Sequence, residues 1–129
     1  MIAIGLAATQ SGVSIETIRY YEREGIVPKA KRADNGRRVY DTAAIGRLRF
    51  IRRCRDLGFS IPEAKSLLGL SEAAQSDCAA AFELGQVHLA QVQRKIVALQ
   101  ALENGLKEMT ANCRVGSASC PMLDRLRAD

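Results

Sequence analysis

This chain has no tryptophan and few aromatic residues, and its composition leans toward Ala, Leu, Arg and Glu, which favour helix. Its 129 residues suffice for one small domain and an appendage, but not for two large cores. A membrane-spanning helix needs about 18 consecutive apolar residues, and no apolar run in this chain approaches that length. The apolar start lacks a positively charged region, so a signal peptide is not expected and the predicted location is the cytoplasm.

Catalytic constellations are also missing from the sequence. There is no Ser-His-Asp pattern, no paired-carboxylate pattern and no phosphate-binding loop. An enzyme is therefore not expected.

The positive charge is concentrated in the front half. Residues 1–70 carry 13 Lys and Arg against 7 Asp and Glu, whereas residues 71–129 carry 6 against 7. A basic front half followed by a near-neutral helical half predicts that the front half meets a polyanion such as nucleic acid, rather than presenting only a solvated face.

Two short helices are predicted near the start. The first covers residues 5–11 and is closed by Gly12. The second follows Ser14, a natural N-cap, and runs to Glu24, with Gly25 as its stop. Two short helices separated by a turn that contains glycine match a helix-turn-helix.

A hairpin rich in cations is predicted next. Asn35-Gly36 indicates a type I′ turn, in which both central residues have positive φ. Its flanks carry the cations Lys31, Arg32, Arg37 and Arg38. Such a hairpin after a helix-turn-helix is typical of a wing.

Two further helices and one long helix complete the pattern. The third runs from its N-cap Asp41 to about Leu57, and the fourth starts with a capping box at residues 60–63 and reaches about Leu68. The long helix covers residues 78–112, and its apolar positions recur at alternating steps of three and four, which is typical of a coiled coil. A last short helix is predicted over residues 121–127.

The apolar stripe of the third helix is Ile45, Leu48, Ile51 and Cys54, so Cys54 is expected to be a small buried hydrophobe.

The spacing of three cysteines points to a site shared by two chains. Cys113 and Cys120 have six residues between them, whereas Cys78 lies 35 residues before Cys113. That separation is roughly 50 Å along a helix, so one ion cannot bridge the three within a chain. Antiparallel pairing of two long helices places Cys78 of one chain beside Cys113 and Cys120 of the other. In a reducing cytoplasm these are thiols or metal ligands rather than disulfides.

The predicted fold is therefore mainly α. A winged helix-turn-helix DNA-binding domain (1–70) precedes a linker and an antiparallel coiled-coil dimerisation helix (71–112), and a metal-binding loop with a short helix follows (113–129).

Several motifs resemble those of the MerR family of bacterial transcription regulators, over essentially the whole chain. They are Thr17-Ile18-Arg19-Tyr20-Tyr21-Glu22, Arg38-x-Tyr40, Leu48-x-Phe50-Ile51 and Leu57-Gly58-Phe59-Ser60. One departure is that Leu6 stands where the family pattern has an acidic residue. The resemblance implies a homodimer on a palindromic operator whose promoter elements are spaced too far apart. It represses without effector and distorts the DNA with effector, so that RNA polymerase engages both elements.

The resemblance also suggests which residues contact DNA. Arg19 and Tyr20 lie on the second helix, which would enter the major groove, where Arg19 can either read guanine or clamp a phosphate. The hydroxyl of Tyr20 or Tyr21 can donate to a phosphate, and Tyr21 could instead pack in the core. Arg37, Arg38 and Tyr40 resemble the backbone and minor-groove contacts of the family's wing.

The thiolates predict a soft metal ion. A helix N-terminus at Cys78 favours the thiolate form. A cysteine at position 78 resembles the divalent branch of the family rather than its copper branch, and the loop between Cys113 and Cys120 lacks the extra Cys and His of the zinc sensors. Cd(II) ranks first, Pb(II) and Hg(II) follow closely, and Zn(II) ranks behind them.

Two alternatives stay open at this point. The same cysteines could serve a thiol-based redox or oxidative-stress sensor that acts through a disulfide. His88, the single histidine, is either a further ligand or a residue at a solvated or interfacial position, and the second reading is preferred.

Overall fold

The computed structural model describes residues 1–75, 77–111 and 119–129, and these are mainly helical, as predicted. Contacts divide the chain into two compact units, Met1–Leu84 and Gly85–Asp129. No helix in the described ranges is long and apolar enough to cross a membrane.

In chain order the elements are α1 (Ile4–Ser11), α2 (Ile15–Arg23), β1 (Lys31–Arg32), β2 (Arg38–Val39), α3 (Thr42–Asp56), α4 (Ile61–Glu72), α5 (Cys78–Ala111) and α6 (Pro121–Arg127). The predicted division at residues 70 and 112 stays a prediction.

Side-chain caps set the starts of α2, α3 and α4, as their sequences predict. The backbone N–H of Thr17 donates to the Ser14 hydroxyl (3.2 Å), and that of Ala44 donates to the Asp41 carboxylate (2.8 Å). At α4 the capping box at residues 60–63 is complete in both directions. Each cap satisfies a backbone N–H that the first turn of a helix leaves without an intrahelical acceptor.

The core of the first unit lies where α1, α2, α3 and α4 meet. Ile18 of α2 and Leu48 and Ile51 of α3 are at most 1% exposed. Ala64 and Leu68 of α4 belong to the same cluster of buried side chains. The predicted apolar stripe of α3 is buried as expected, and this core holds α2 in a fixed orientation.

The predicted hairpin is present, but its turn type was predicted incorrectly. Lys31 pairs with Val39 and Arg32 with Arg38, and the N–H of Ala33 donates to the carbonyl of Arg37 (2.9 Å). Three residues, 34–36, therefore form the loop. Gly36 alone of these has a positive φ (81°), because no non-glycine residue in the described ranges does. The loop is thus a tight turn completed by a left-handed glycine, not a type I′ turn.

Helix α4 extends beyond the predicted end at about Leu68, to Glu72. The Glu72 carboxylate accepts a hydrogen bond from Arg47 Nε on α3 (2.7 Å), and the Ser71 hydroxyl donates to the carbonyl of Leu68 (2.7 Å). This contact to α3 involves a residue 25 positions away and was not foreseen from the local pattern.

Helix α5 spans 34 residues and leaves large apolar side chains exposed along much of its length. The members of the predicted stripe that are about half exposed or more are Phe82, Leu89, Ile96, Leu99, Leu102 and Leu106. His88 is only 7% exposed, so it does not occupy a solvated position, and the interfacial position stays a prediction.

Candidate nucleic-acid interface and thiol positions

Helix α2 divides its side chains between the core and the surface. Ile18 and Tyr21 are buried, whereas Arg19 and Tyr20, one position from each, are exposed. The guanidinium of Arg23 lies 5.6 Å from the centre of the Tyr20 ring, within range of a cation–π interaction. One face of α2 is thus anchored, and the other presents an arginine and a tyrosine to the surroundings.

The β1–β2 hairpin (residues 31–39, here called the wing) is braced by its own side chains. Arg32 Nη1 donates to the carbonyl of Gly36 (2.7 Å), and the N–H of Arg37 donates to the side-chain oxygen of Asn35 (3.0 Å). A two-stranded hairpin is marginally stable alone, so these bonds and the contacts with the rest of the unit hold its shape.

A concave surface of about 420 Å³, here called the basic cleft, lies between α2 and the wing. Five cationic side chains line it: Arg19, Arg23, Lys29, Arg32 and Arg38. An adjoining concavity shares Arg19, Arg32 and Arg38 and adds Arg37. Cations converging from a helix and a hairpin suit a polyanion whose charges are regularly spaced, such as the phosphates of a nucleic acid.

Beneath these cations lies one carboxylate. Glu22 is 4% exposed, and its Oε2 accepts hydrogen bonds from the Tyr40 hydroxyl (3.0 Å) and from Arg38 Nη1 (3.3 Å). Its Oε1 accepts from the backbone N–H of Ala30 (2.5 Å). Tyr40 is itself 3% exposed, so it lies under the cleft rather than on its surface. Its direct contact with DNA stays a prediction, one that this burial does not favour.

Tyr40 makes the stability of the fold depend on alkaline pH. Burial, followed by the hydrogen bond and charge of Glu22, raises the pKa of Tyr40 from 10.0 to about 12. The neutral hydroxyl therefore contributes stability that is complete below pH 10 and is lost as pH rises through about 12. We expect Tyr40→Phe, which cannot ionise, to show a shallower loss of stability over this range. Urea unfolding at several pH values on both proteins tests this, and parallel profiles would contradict it.

The structure describes two of the three sequence-predicted thiols. Cys78 is exposed at the first residue of α5, and Cys120 is partly buried at the N-cap of α6. Cys113 lies outside the described residues. Within the described ranges no three His, Cys, Asp or Glu side chains cluster closely enough to hold a metal ion. The three-cysteine site thus stays a prediction. Both described thiols have the soft donor chemistry that such an ion needs.

Cys54 is the fourth cysteine, and its surroundings match the prediction of a buried hydrophobe. It is 7% exposed on α3, and burial raises the pKa of its thiol. The thiolate that binds metal or reacts with oxidant is thereby disfavoured at this position.

Sequence reasoning predicted only two of the five cleft cations, Arg19 and Arg38, as DNA contacts. Arg32 was recognised only as a cation of the hairpin, and two further cations and the carboxylate beneath them were missed. Arg23 follows Arg19 by four residues and therefore shares its helix face, so this signal was available. Lys29 lies between α2 and the wing, where no periodicity applies. Glu22 was seen only as part of a motif, because its partners lie 8, 16 and 18 residues further along the chain.

A helix-turn-helix that presents an exposed arginine beside a cationic wing defines a DNA-binding protein of the transcription-regulator class. Family comparison identifies it further. The model described as MerR HTH family regulatory protein matches residues 2–70, and the one described as MerR, DNA binding, matches residues 45–109. The chain belongs to the MerR family of helix-turn-helix regulatory proteins.

Individual relatives resemble nearly the whole chain. The mercuric resistance operon regulatory protein of Bacillus cereus is 34% identical over 125 residues, which cover 95% of each chain. The HTH-type transcriptional regulator HmrR of Sinorhizobium medicae (strain WSM419) is 40% identical over 95% of this chain and 84% of its own. Among solved structures, the transcription regulator PbrR691 from Ralstonia metallidurans CH34 in complex with lead(II) superposes with a TM-score of 0.83 at 33% identity, over 98% of this chain and 99% of its own.

Proposed function

We propose that this protein is a metal-responsive transcription regulator that binds promoter DNA as a homodimer and controls a heavy-metal resistance operon. The observation that carries the DNA-binding part is the basic cleft, where five cations from α2, the wing and the connection between them converge. Neutralising several phosphates at once makes affinity fall steeply with salt, by about 0.9 in log–log slope for each phosphate.

The geometry of the cleft supports a separate role for each group of its side chains. Helix α2 enters the major groove, and Arg19 reads guanine through two hydrogen bonds. Tyr20 and the wing cations Arg32 and Arg37 bind the sugar–phosphate backbone, which fixes the register without reading sequence. Arg38 is shared between the cleft and Glu22.

Helix α5 supports the homodimer. Its exposed apolar side chains recur along much of the helix, and a continuous exposed apolar surface marks an interaction site. A second copy of the same helix, packed antiparallel, covers this stripe through coiled-coil contacts.

The effector is a soft divalent ion held by Cys78, Cys113 and Cys120, with Cd(II) first and Pb(II) and Hg(II) next. An exposed thiol at the first residue of α5 is accessible to an ion and to the loop of a second chain. The names of the relatives support soft metals, since one regulates mercury resistance and another was solved with lead(II). When bound, the ion supplies a cross-link between the dimer helix and the loop.

Metal binding would act on the promoter through α5. In this proposal the dimer represses without metal and distorts the DNA with metal, so that RNA polymerase in the cytoplasm engages both promoter elements. The free-energy cost of distorting the duplex is offset by the protein–DNA contacts that the metal-dependent change of dimer geometry allows.

Transcription in vitro tests the proposal. A promoter bound by the protein would be transcribed by purified RNA polymerase with Cd(II), Pb(II), Hg(II), Zn(II) or Cu(I) added to the reduced protein. We expect activation by the first three ions, weaker activation by Zn(II), and none by Cu(I). Activation by an oxidant with no response to any metal would contradict metal sensing and favour the redox function.

A further inference from the structure

Glu22 is a buried carboxylate within a surface built from cations. Its partners are the backbone N–H of Ala30, in the connection after α2, the side chain of Arg38, in the wing, and the hydroxyl of Tyr40, directly after the wing. All of these hydrogen bonds therefore connect α2, which would read the DNA bases, to the segment after it, which would contact the DNA phosphates. No bond of this set lies within α2 itself.

Burying this carboxylate is costly unless it is paired and hydrogen-bonded. Apolar side chains of similar volume would pack α2 against the wing without that cost. A carboxylate fixes the distance between α2 and the wing, because both of its oxygens accept hydrogen bonds from defined directions. Four of the five cations of the basic cleft lie on the two elements whose separation Glu22 sets, and the fifth, Lys29, lies in the connection between them.

We propose that Glu22 is a positioning residue that clamps the wing to α2 at the separation required for both to contact the same stretch of DNA. This inference rests on the proposed DNA-binding function. Glu22 itself does not touch the DNA, since it is 4% exposed beneath the cleft.

The clamp and simple electrostatics predict opposite results for Glu22→Gln. Removing a negative charge from a cleft that binds phosphates strengthens binding if charge alone matters. The clamp predicts weaker binding, because the glutamine amide keeps only one oxygen that can accept. Its NH2 group cannot accept from Arg38 or from the backbone N–H of Ala30, and the ion pair with Arg38 is lost. The wing then loses its fixed position, and its phosphate contacts are lost with it.

The experiment uses the full chain and a palindromic duplex that the wild-type protein selects from a random-sequence pool. We expect Glu22→Gln to raise the Kd, measured by fluorescence anisotropy, by about tenfold or more. The log–log salt slope should become less steep by about two, one phosphate for each wing of the dimer. Tyr40→Phe, which removes one of the bonds, should shift both quantities in the same direction by a smaller amount.

Glu16→Gln is the matched control, because it removes the same charge from an exposed position on the same helix. It should bind the duplex as tightly as the wild type or slightly more tightly. Hydrogen exchange separates positioning from general destabilisation: the clamp predicts faster exchange in residues 31–39 of Glu22→Gln, with exchange in α3 unchanged.

Equal or tighter binding by Glu22→Gln, with an unchanged salt slope, would overturn the clamp alone. The clamp would also be overturned if the loss of affinity of Glu22→Gln disappeared after the Kd is corrected for the fraction of the variant that is folded. If Glu22→Gln does not fold, Tyr40→Phe decides, and wild-type affinity and slope in that variant overturn the clamp. Failure of the wild-type protein to select or bind any duplex would instead overturn the proposed function together with this inference.

Discussion

Replacing Arg19 with alanine is expected to reduce operator affinity by roughly a hundredfold or more, to the level of non-specific binding. Arg19 is exposed on α2 and lines the basic cleft, so its removal leaves the core intact. One bidentate contact to guanine is worth about 1–3 kcal/mol, and a symmetric dimer loses two of them. Gel-shift titration of the selected duplex measures the effect, and an unchanged affinity would refute it.

Two further variants separate base reading from charge. Arg19→Lys keeps the positive charge but loses the planar fork, so it should retain non-specific binding and the salt slope while losing preference for the operator. Arg53→Ala removes the same charge from an exposed position on α3 that does not line the basic cleft, and it should leave the operator affinity nearly unchanged. Equal losses in Arg19→Ala and Arg53→Ala, with wild-type affinity in Arg19→Lys, would indicate a general charge effect rather than recognition by Arg19.

The second large effect is expected for Cys78→Ser, which should abolish metal-dependent transcription while leaving operator binding in place. Serine keeps the shape of the side chain but is a hard, neutral donor that binds soft ions poorly. Loss of a group in the outer shell of a metal site costs about 10–100-fold in affinity, and loss of a direct ligand costs at least as much. Thiolate-to-metal absorption during titration with Cd(II), Pb(II) and Hg(II) measures this. A wild-type response in Cys78→Ser would contradict the proposed ligand set.

Cys54→Ala is the matched control for this experiment. Cys54 is buried, and its raised pKa keeps it protonated, so its removal should leave metal binding and activation as in the wild type. A loss of metal response in Cys54→Ala would show that a change in the core alone abolishes the response, so that the effect of Cys78→Ser could not be assigned to a lost ligand.

Mixed dimers test whether the site is shared between chains. One chain carries Cys78→Ser and the other carries Cys113→Ser with Cys120→Ser. If each site takes Cys78 from one chain and the other two thiols from its partner, the mixed dimer regains one complete site. We expect such dimers to bind one ion each, whereas either homodimer of variants binds none tightly. No recovery would show that the ligands come from a single chain.

Local signals predicted most of the fold correctly. The caps at Ser14 and Asp41 act between residues three apart, and the stripe of α3 repeats within a few turns, so both can be read along the chain. The hairpin was also foreseen from Asn35-Gly36. Its turn type was not, because register depends on which residues of the two strands pair, and here Ala33 pairs with Arg37.

The sequence by itself determined the helix-turn-helix, the cationic hairpin and a set of soft donors, since each depends on residue type and short spacing. Only the tertiary structure decided which cations share a cleft and that Tyr40 is buried beneath it. It also decided that Glu22 joins α2 to the wing, because a carboxylate meets partners 8 to 18 residues away only after the core has oriented both elements. Distances across the chain are set by packing, and no local pattern encodes them.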